Sequence, residues 1–299
     1  MSDQDGTYRP LGSPLAPAAP ASGLPVTAPL IAAHALATPA TDNVALPVSG
    51  NRLALITGGH RRLGAAIALA LAQAGYALAI HGSHDVHLDE HLADAFDAHE
   101  TSWEGFVADF TDPEAAEELI ANVATTFGRP PDLLVNSAAI FGQDRLESVT
   151  AQDLMRHYAV NCAAPTLLTK AFATVPAGAV DRCIVNILDQ RIDHPHGDQL
   201  AYTLSKMALA GLTQLSARDL APHVRVNAVA PGLTIATAEY SATQMRDLAG
   251  AMPLNRLPLS AQIADAVLYL AQATATTGQV LYVDGGAHMQ GYDRDFMHL

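Results

Sequence analysis

The chain has 299 residues, 49% of them hydrophobic, which is enough for one large α/β domain with a sizeable core. Its formal charge is −14, from 30 acidic against 16 basic side chains, and such a surface repels a polyphosphate backbone and argues against general nucleic-acid binding. No apolar run reaches the roughly 18 residues of a membrane span. The only cysteines, Cys162 and Cys183, sit in apolar stretches without a CxxC partner, as reduced packing residues in a reducing, cytoplasmic compartment do.

In chain order, residues 1–50 come first, with Pro10, Pro14, Pro17, Pro20, Pro25, Pro29, Pro39 and Pro47 among Ala, Ser, Thr and Gly. Proline at that density blocks helix and sheet ladders alike, so this segment is expected to be a disordered tail ahead of a domain over 51–299. From there strands and helices alternate. Leu53–Thr57 reads as a strand, Leu63–Ala74 as an Ala/Leu helix, Tyr76–His81 as a second strand and Leu88–His99 as an exposed amphipathic helix. Trp103–Ala108 is a third strand, and Pro113, suited to a first helical turn, opens a helix through Phe127. Leu133–Asn136 is a strand, Ala151–Ala173 mainly helix, Cys183–Leu188 strand, Gln199–Leu220 helix and Arg225–Val229 strand. Gln262–Ala271 is helix and Val280–Val283 the last strand, while Thr234–Ala251 has mixed helix-like character. Such alternation predicts a single Rossmann-like α/β domain: a doubly wound parallel sheet with ligands beyond the carboxyl ends of its strands.

Three features carry chemistry. The first strand runs through Thr57-Gly58-Gly59-His60-Arg61-Arg62-Leu63-Gly64 into a helix, so glycines allow a tight turn and the helix start offers free N–H groups to a pyrophosphate. The spacing is not GxGxxG. The second strand ends in His81-Gly82-Ser83-His84, without the acid that accepts from an NAD ribose, while Arg61 and Arg62 sit in the loop facing it. Cations and hydroxyls there suit a 2′-phosphate, which predicts NADPH as the cofactor. Finally, Tyr202 and Lys206 stand four apart on one helix, so that phenol and ammonium share a face. A nearby ammonium is expected to pull the phenol toward phenolate and make Tyr202 a proton donor at working pH. Asp189 lies thirteen residues upstream at a strand end, and Asn161 on the preceding long helix.

From about Arg52 to Gly286 the chain resembles the short-chain dehydrogenase/reductase family, through TGGHRRLG at 57–64, Asp109, LVNSAA at 134–139, Asn161, YTLSK at 202–206, RVNAVAPG at 225–232 and GQVLYVDGG at 278–286. The resemblance implies a catalytic tetrad of Asn161, Asp189, Tyr202 and Lys206, the lysine also holding the nicotinamide ribose and the asparagine a proton-relay water. It implies cofactor contacts from Gly58, Arg61, Arg62, Leu63, Gly64, His81, Ser83, Asp109, Asn136, Ser137, Ala138, Tyr202, Lys206, Pro231 and Gly232. It also implies a homotetramer packed through two long helices, and a mobile lid over Thr234–Ala251, with Leu233, Ile235 and Tyr240 as candidate walls. Most of the family has serine where this chain has Asp189. Aspartate there is characteristic of the pteridine reductase branch, which includes the dihydromonapterin reductases. That branch also matches Arg62-Leu63-Gly64, His81 and Phe141, whose ring falls where an aromatic stacks on the pterin; its usual serine is replaced by Ala139.

An ionised carboxylate can only accept hydrogen bonds, so Asp189 suits the N–H donors of a pterin better than a ketone oxygen. The expected reaction is thus NADPH-dependent reduction of a dihydropteridine (dihydromonapterin, dihydrobiopterin or dihydrofolate), with Phe141, Asp189 and Tyr202 as substrate contacts. Two alternatives are weighed: carbonyl reduction of a 3-oxoacyl thioester or another ketone, which Asp189 opposes, and a catalytically silent NADP-binding sensor, which the Tyr202/Lys206 pair opposes. Neither nucleic acid nor membrane is an expected partner. The acidic, histidine-rich stretch His81–His99, with His87 and His91 four apart, reads as a solvated helix, and no metal is assigned to it.

Overall fold

Alternating apolar strands and amphipathic helices fold as the sequence predicts. A computed structural model describes residues 52–175, 181–236 and 240–298. The expected tail over 1–50 lies outside the described residues. Seven strands, β1 (Leu53–Thr57), β2 (Ala77–Gly82), β3 (Trp103–Val107), β4 (Leu133–Asn136), β5 (Arg182–Ile187), β6 (Val224–Pro231) and β7 (Val280–Val283), form one parallel sheet in the order β3-β2-β1-β4-β5-β6-β7. The order reverses between β1 and β4, which opens a crevice beyond their carboxyl ends. Both faces of the sheet are covered. Ala54 and Ile56 point to one layer with Ile67, Leu71, Phe96, Ile263 and Val267; their neighbours Leu53 and Leu55 point to the other with Leu119, Ile120, Leu168 and Phe172. Each fully buried Leu, Ile or Phe contributes roughly 1.5–3 kcal/mol, so this two-sided packing carries most of the fold's stability.

The helices are α1 (Arg62–Gln73), α2 (Glu90–Ala98), α3 (Pro113–Phe127), α4 (Ala151–Tyr158), α5 (Ala164–Thr174), α6 (Leu200–Asp219), α7 (Ala242–Ala251) and α8 (Ser260–Gln272). Two departures from expectation have local causes. The second helix starts at Glu90, not Leu88, because the Asp89 side chain caps it by accepting from the Leu92 N–H; His87 therefore lies ahead of the helix and shares no helical face with His91. The expected long helix over 151–173 is interrupted by a π turn at Ala159–Ala163, a widening that often marks functional sites, and Asn161 sits inside it. The stretch after β6 does contain a helix, α7. Ser241 and Gln244 close a reciprocal capping box at its start, and its Leu248, with Met252, packs on Ala287 and Phe296 near the carboxyl terminus. Residues 237–239 of the expected lid lie outside the described residues. The terminal residues run back toward the carboxyl ends of β4 and β5, and Asp295, Phe296 and Met297 reach the crevice.

Candidate active site

A cleft of about 1140 Å³ opens beyond the carboxyl ends of β1, β2, β4 and β5. At one end the turn after β1 is shaped by three close approaches. Gly58 has φ +65, and a Cβ there would come within 3.2 Å of the Ala138 Cα. A Cβ on Gly64 would collide with the Gly58 carbonyl and stand 2.9 Å from the Gly59 Cα, so only glycine lets α1 begin against the loop. Arg61, the N-cap of α1, makes no side-chain cap, which leaves first-turn N–H groups without a side-chain partner. Gly58, Arg61, Arg62, Leu63, Gly64, Ser83 and Asp109 all line the cleft; Arg61 and Arg62 are exposed in it.

His81 also lines this end, yet it is buried and both ring nitrogens are engaged. Nδ1 accepts from the Gly58 N–H at 3.2 Å, Nε2 donates to the Ala108 carbonyl at 2.9 Å, and the ring stacks 4.2 Å from Phe110. Burial pushes its pKa down to about 4, so the ring is neutral and ties the β1 turn to the ends of β2 and β3. Thr57 does the same toward β4: its hydroxyl accepts from the Ser137 and Ala138 N–H groups, both at 2.9 Å. Ser137, Ala138, Pro231 and Gly232 reach the cleft.

Asn136 and Asn161, both expected at the ligand, engage their side chains within the protein. Asn136 is buried and absent from the lining; its amide donates to Asn186 at 2.8 Å, and Asn186 donates in turn to Thr213, which links β4, β5 and α6. Asn161 is wholly buried and likewise absent from the lining. Its side chain accepts from the Ile140 N–H at 2.8 Å and donates to the Ile140 carbonyl and to Ser205, so the amide is spent bracing the loop after β4 against α6.

At the other end Asp189, Tyr202 and Lys206 do converge. The Tyr202 hydroxyl donates to Asp189 Oδ2 at 3.0 Å, and Lys206 Nζ donates to the Ile187 carbonyl at 2.7 Å, 5.7 Å from the Tyr202 ring centre. Burial lowers the Lys206 pKa to about 8, opposed by Asp189. The expectation that Lys206 draws Tyr202 toward phenolate is corrected here. Burial and the Asp189 carboxylate push the phenol well above its ordinary value, with Arg191 working the other way, so Tyr202 keeps its proton. Phe141 is half exposed, its ring 4.9 Å from that of Tyr202 in an edge-on arrangement.

Arg191 escaped sequence reasoning. Its guanidinium, 7% exposed, donates through Nε to Asp189 Oδ1 at 3.1 Å, through Nη1 to Gln199 at 2.6 Å and through Nη2 to Asp295 at 3.0 Å. It lies 5.2 Å from the Tyr202 ring centre and 5.7 Å from that of Phe141. The one available signal was its place two residues after Asp189. Nothing in the sequence announced Asp295, which comes from the carboxyl-terminal segment and is itself anchored, its N–H donating to Asp198 at 3.0 Å. Leu233, Ile235 and Tyr240 line the cleft on the α7 side. Cys162 and Cys183 are both free and buried.

Residues 59–288 match the family model described as enoyl-(acyl carrier protein) reductase. An uncharacterized oxidoreductase of Mycobacterium tuberculosis (strain CDC 1551 / Oshkosh) is 34% identical over 252 residues, which cover 81% of this chain and 94% of that protein. The 3-oxoacyl-acyl-carrier-protein reductase FabG of Escherichia coli (strain K12) is 30% identical over 243 residues, covering 80% and 98%. Among solved structures, FolM alternative dihydrofolate reductase 1 from Brucella canis, complexed with NADP, is similar with a TM-score of 0.74 and 30% identity, over 82% of this chain and 96% of that one. A glycine-shaped turn under a parallel sheet and a Tyr/Lys pair on α6 define a nucleotide-dependent oxidoreductase class. The chain belongs to the short-chain dehydrogenase/reductase family.

Proposed function

We propose that this protein uses NADPH to reduce a dihydropteridine to its tetrahydro form. The observation that carries this reading is the hydrogen bond from Tyr202 to Asp189 at 3.0 Å: the group beside the proton donor is a carboxylate, which accepts and does not donate to a carbonyl. Similarity to FolM structures in complex with NADP supports both the cofactor and the pterin-like acceptor. The residues present fit NADPH. The Gly58–Gly64 turn packs closely on its own backbone, so that the first-turn N–H groups of α1 face the cleft without a side-chain cap, and Arg61 and Arg62 stand exposed at the ribose end without an acid among Gly82, Ser83 and His84.

When bound, NADPH supplies the hydride. The chain's own residues then do three things. Phe141 offers a half-exposed ring face against which a flat heterocycle can stack. Asp189 accepts from the ring's N–H donors and orients it. Tyr202, kept protonated by burial, gives its proton to the ring nitrogen of the C=N bond being reduced and regains one from solvent. Lys206, fixed on the Ile187 carbonyl, holds its positive charge near the phenol. Asn161 acts here as a brace for the loop bearing Ile140 and Phe141. Exposed Leu154, Met155, Tyr158 and Leu204 on α4 and α6 support the expectation of a homotetramer. Among the described residues no helix is long and apolar enough to cross a membrane, and the free cysteines fit a cytoplasmic setting.

The 30% identity to FabG favours a second reading, reduction of a 3-oxoacyl thioester. Asp189→Ser separates the two. On the pteridine reading the variant loses about tenfold or more in kcat/KM for a dihydropteridine with NADPH affinity nearly unchanged. Undiminished pteridine turnover, or a gain on the thioester from an already active wild type, contradicts it.

A further inference from the structure

We propose that Arg191 is the counter-ion of the proton-donating pair: it fixes Asp189 beside Tyr202 and offsets the second negative charge that arises when Tyr202 gives up its proton. The inference rests on the reading of Tyr202 as proton donor. Once that proton leaves, a phenolate oxygen stands about 3.0 Å from a carboxylate oxygen on the wall of the cleft, where the phenol is largely buried, and two like charges there repel. Lys206 lies near the phenol as well, but its Nζ donates to the Ile187 carbonyl at 2.7 Å and stands 5.7 Å from the ring centre, whereas Arg191 is bonded to the carboxylate itself. Arg191 binds the opposite oxygen of the same carboxylate through both its backbone N–H, at 3.0 Å, and its Nε, at 3.1 Å, and lies nearer the Tyr202 ring, at 5.2 Å. A planar guanidinium held at three corners is suited to this, since it keeps its charge when buried.

The surroundings hold that guanidinium in one position. Gln199, wholly buried, takes φ +50 at the start of α6, a left-handed backbone uncommon for a residue with a Cβ, and its amide oxygen accepts from Nη1 while its nitrogen donates to Gln143. Asp295 accepts from Nη2 and is fastened by Asp198, which pairs with Arg145 at 2.9 Å. Segments from four separated parts of the chain thus converge on one nearly buried cation at the cleft wall. Arg191 acts through Asp189 and Tyr202, as a positioning residue.

The test uses the full-length chain with Arg191→Gln, Arg191→Lys and Tyr202→Phe. For each, kcat and KM are measured for NADPH and a dihydropteridine, and kcat is compared in H2O and D2O. Arg191→Gln is expected to lower kcat by about tenfold or more, to leave the KM for NADPH within about twofold, and to raise the solvent isotope effect because proton donation has slowed. Arg191→Lys, which keeps the charge without the fork, is expected to recover part of the loss. A wild-type kcat in Arg191→Gln overturns the proposal, as does an equal loss in both variants with no change in isotope effect. Should Arg191→Gln fail to fold, the isotope effect of Arg191→Lys decides by the same criterion. Full activity in Tyr202→Phe instead removes the proton donor and the reading beneath. If the wild type reduces only a 3-oxoacyl thioester, the substrate reading falls and the same variants judge Arg191 on that acceptor.

Discussion

The two ends of the cleft are built by opposite means. Around the β1 turn the chain is held by backbone and neutral groups: Gly58 on the His81 ring, Ser137 and Ala138 on the Thr57 hydroxyl, and Gly64 packed on the loop itself. Around Tyr202 it is held by buried charges, with Asp189, Arg191, Asp295 and Asp198 linked in one network. The first arrangement leaves first-turn N–H groups without a side-chain partner and Arg61 and Arg62 exposed in the cleft, beside Asp85 and Asp109. The second pairs its charges against one another beside the Tyr202 hydroxyl. On the proposed reading, the neutral cradle binds and the charged, paired pocket transfers a proton.

That contrast can be broken from either end. The largest effect is expected for Tyr202→Phe, which removes the donor hydroxyl and nothing else: kcat should fall by about 10²–10⁴ while NADPH binding, read by fluorescence titration, stays within about threefold. Next comes Gly64→Ala, whose new Cβ meets the Gly58 carbonyl. It should destabilise the fold by about 1–3 kcal/mol in urea unfolding and weaken NADPH binding, with kcat at saturating NADPH less affected. If Gly64→Ala lowered kcat alone, the division of labour between the ends would be wrong.

A smaller effect sharpens the neutral end. His81 has a pKa of about 4 in the fold against 6.5 ordinarily. Between those values the unfolded chain binds a proton that the folded chain does not, so stability rises with pH across the window and is lost as pH falls from 6.5 toward 4. Lowering pH from 7 to 5 should cost about 2 kcal/mol at this site. In His81→Gln, which has no proton to bind, that part of the pH dependence should disappear. An unchanged acid response in His81→Gln would mean the ring is not the neutral clamp described.

The same division explains what was legible in the sequence. The β1 turn is contiguous, and eight residues in a row, Thr57 to Gly64, state its geometry. Strand positions were plain because a parallel sheet covered on both faces needs short apolar runs. Tyr202 and Lys206 were visible through their helical spacing, and Asp189 through its place at a strand end. Arg191, Gln199 and Asp295 were not, because nothing local links residues from β5, the start of α6 and the carboxyl terminus; only folding brings them to one guanidinium. The direction of the Tyr202 shift lies outside the local sequence for a related reason. Spacing on a helix places Lys206 correctly but says nothing of burial or of which oxygen the phenol meets. That the Asn136 and Asn161 side chains bond to Asn186 and to Ile140 and Ser205 is likewise set by long-range packing that no local pattern encodes. The α7 start was readable after all, in Ser241 and Gln244 three apart.

The most direct test of the central claim follows NADPH oxidation by the purified protein with dihydromonapterin, dihydrobiopterin and dihydrofolate, beside 3-oxoacyl thioesters and simple ketones. Rapid turnover confined to the dihydropteridines is expected. Turnover confined to the ketones or thioesters would contradict it, and Asp189 would then need a different role beside Tyr202.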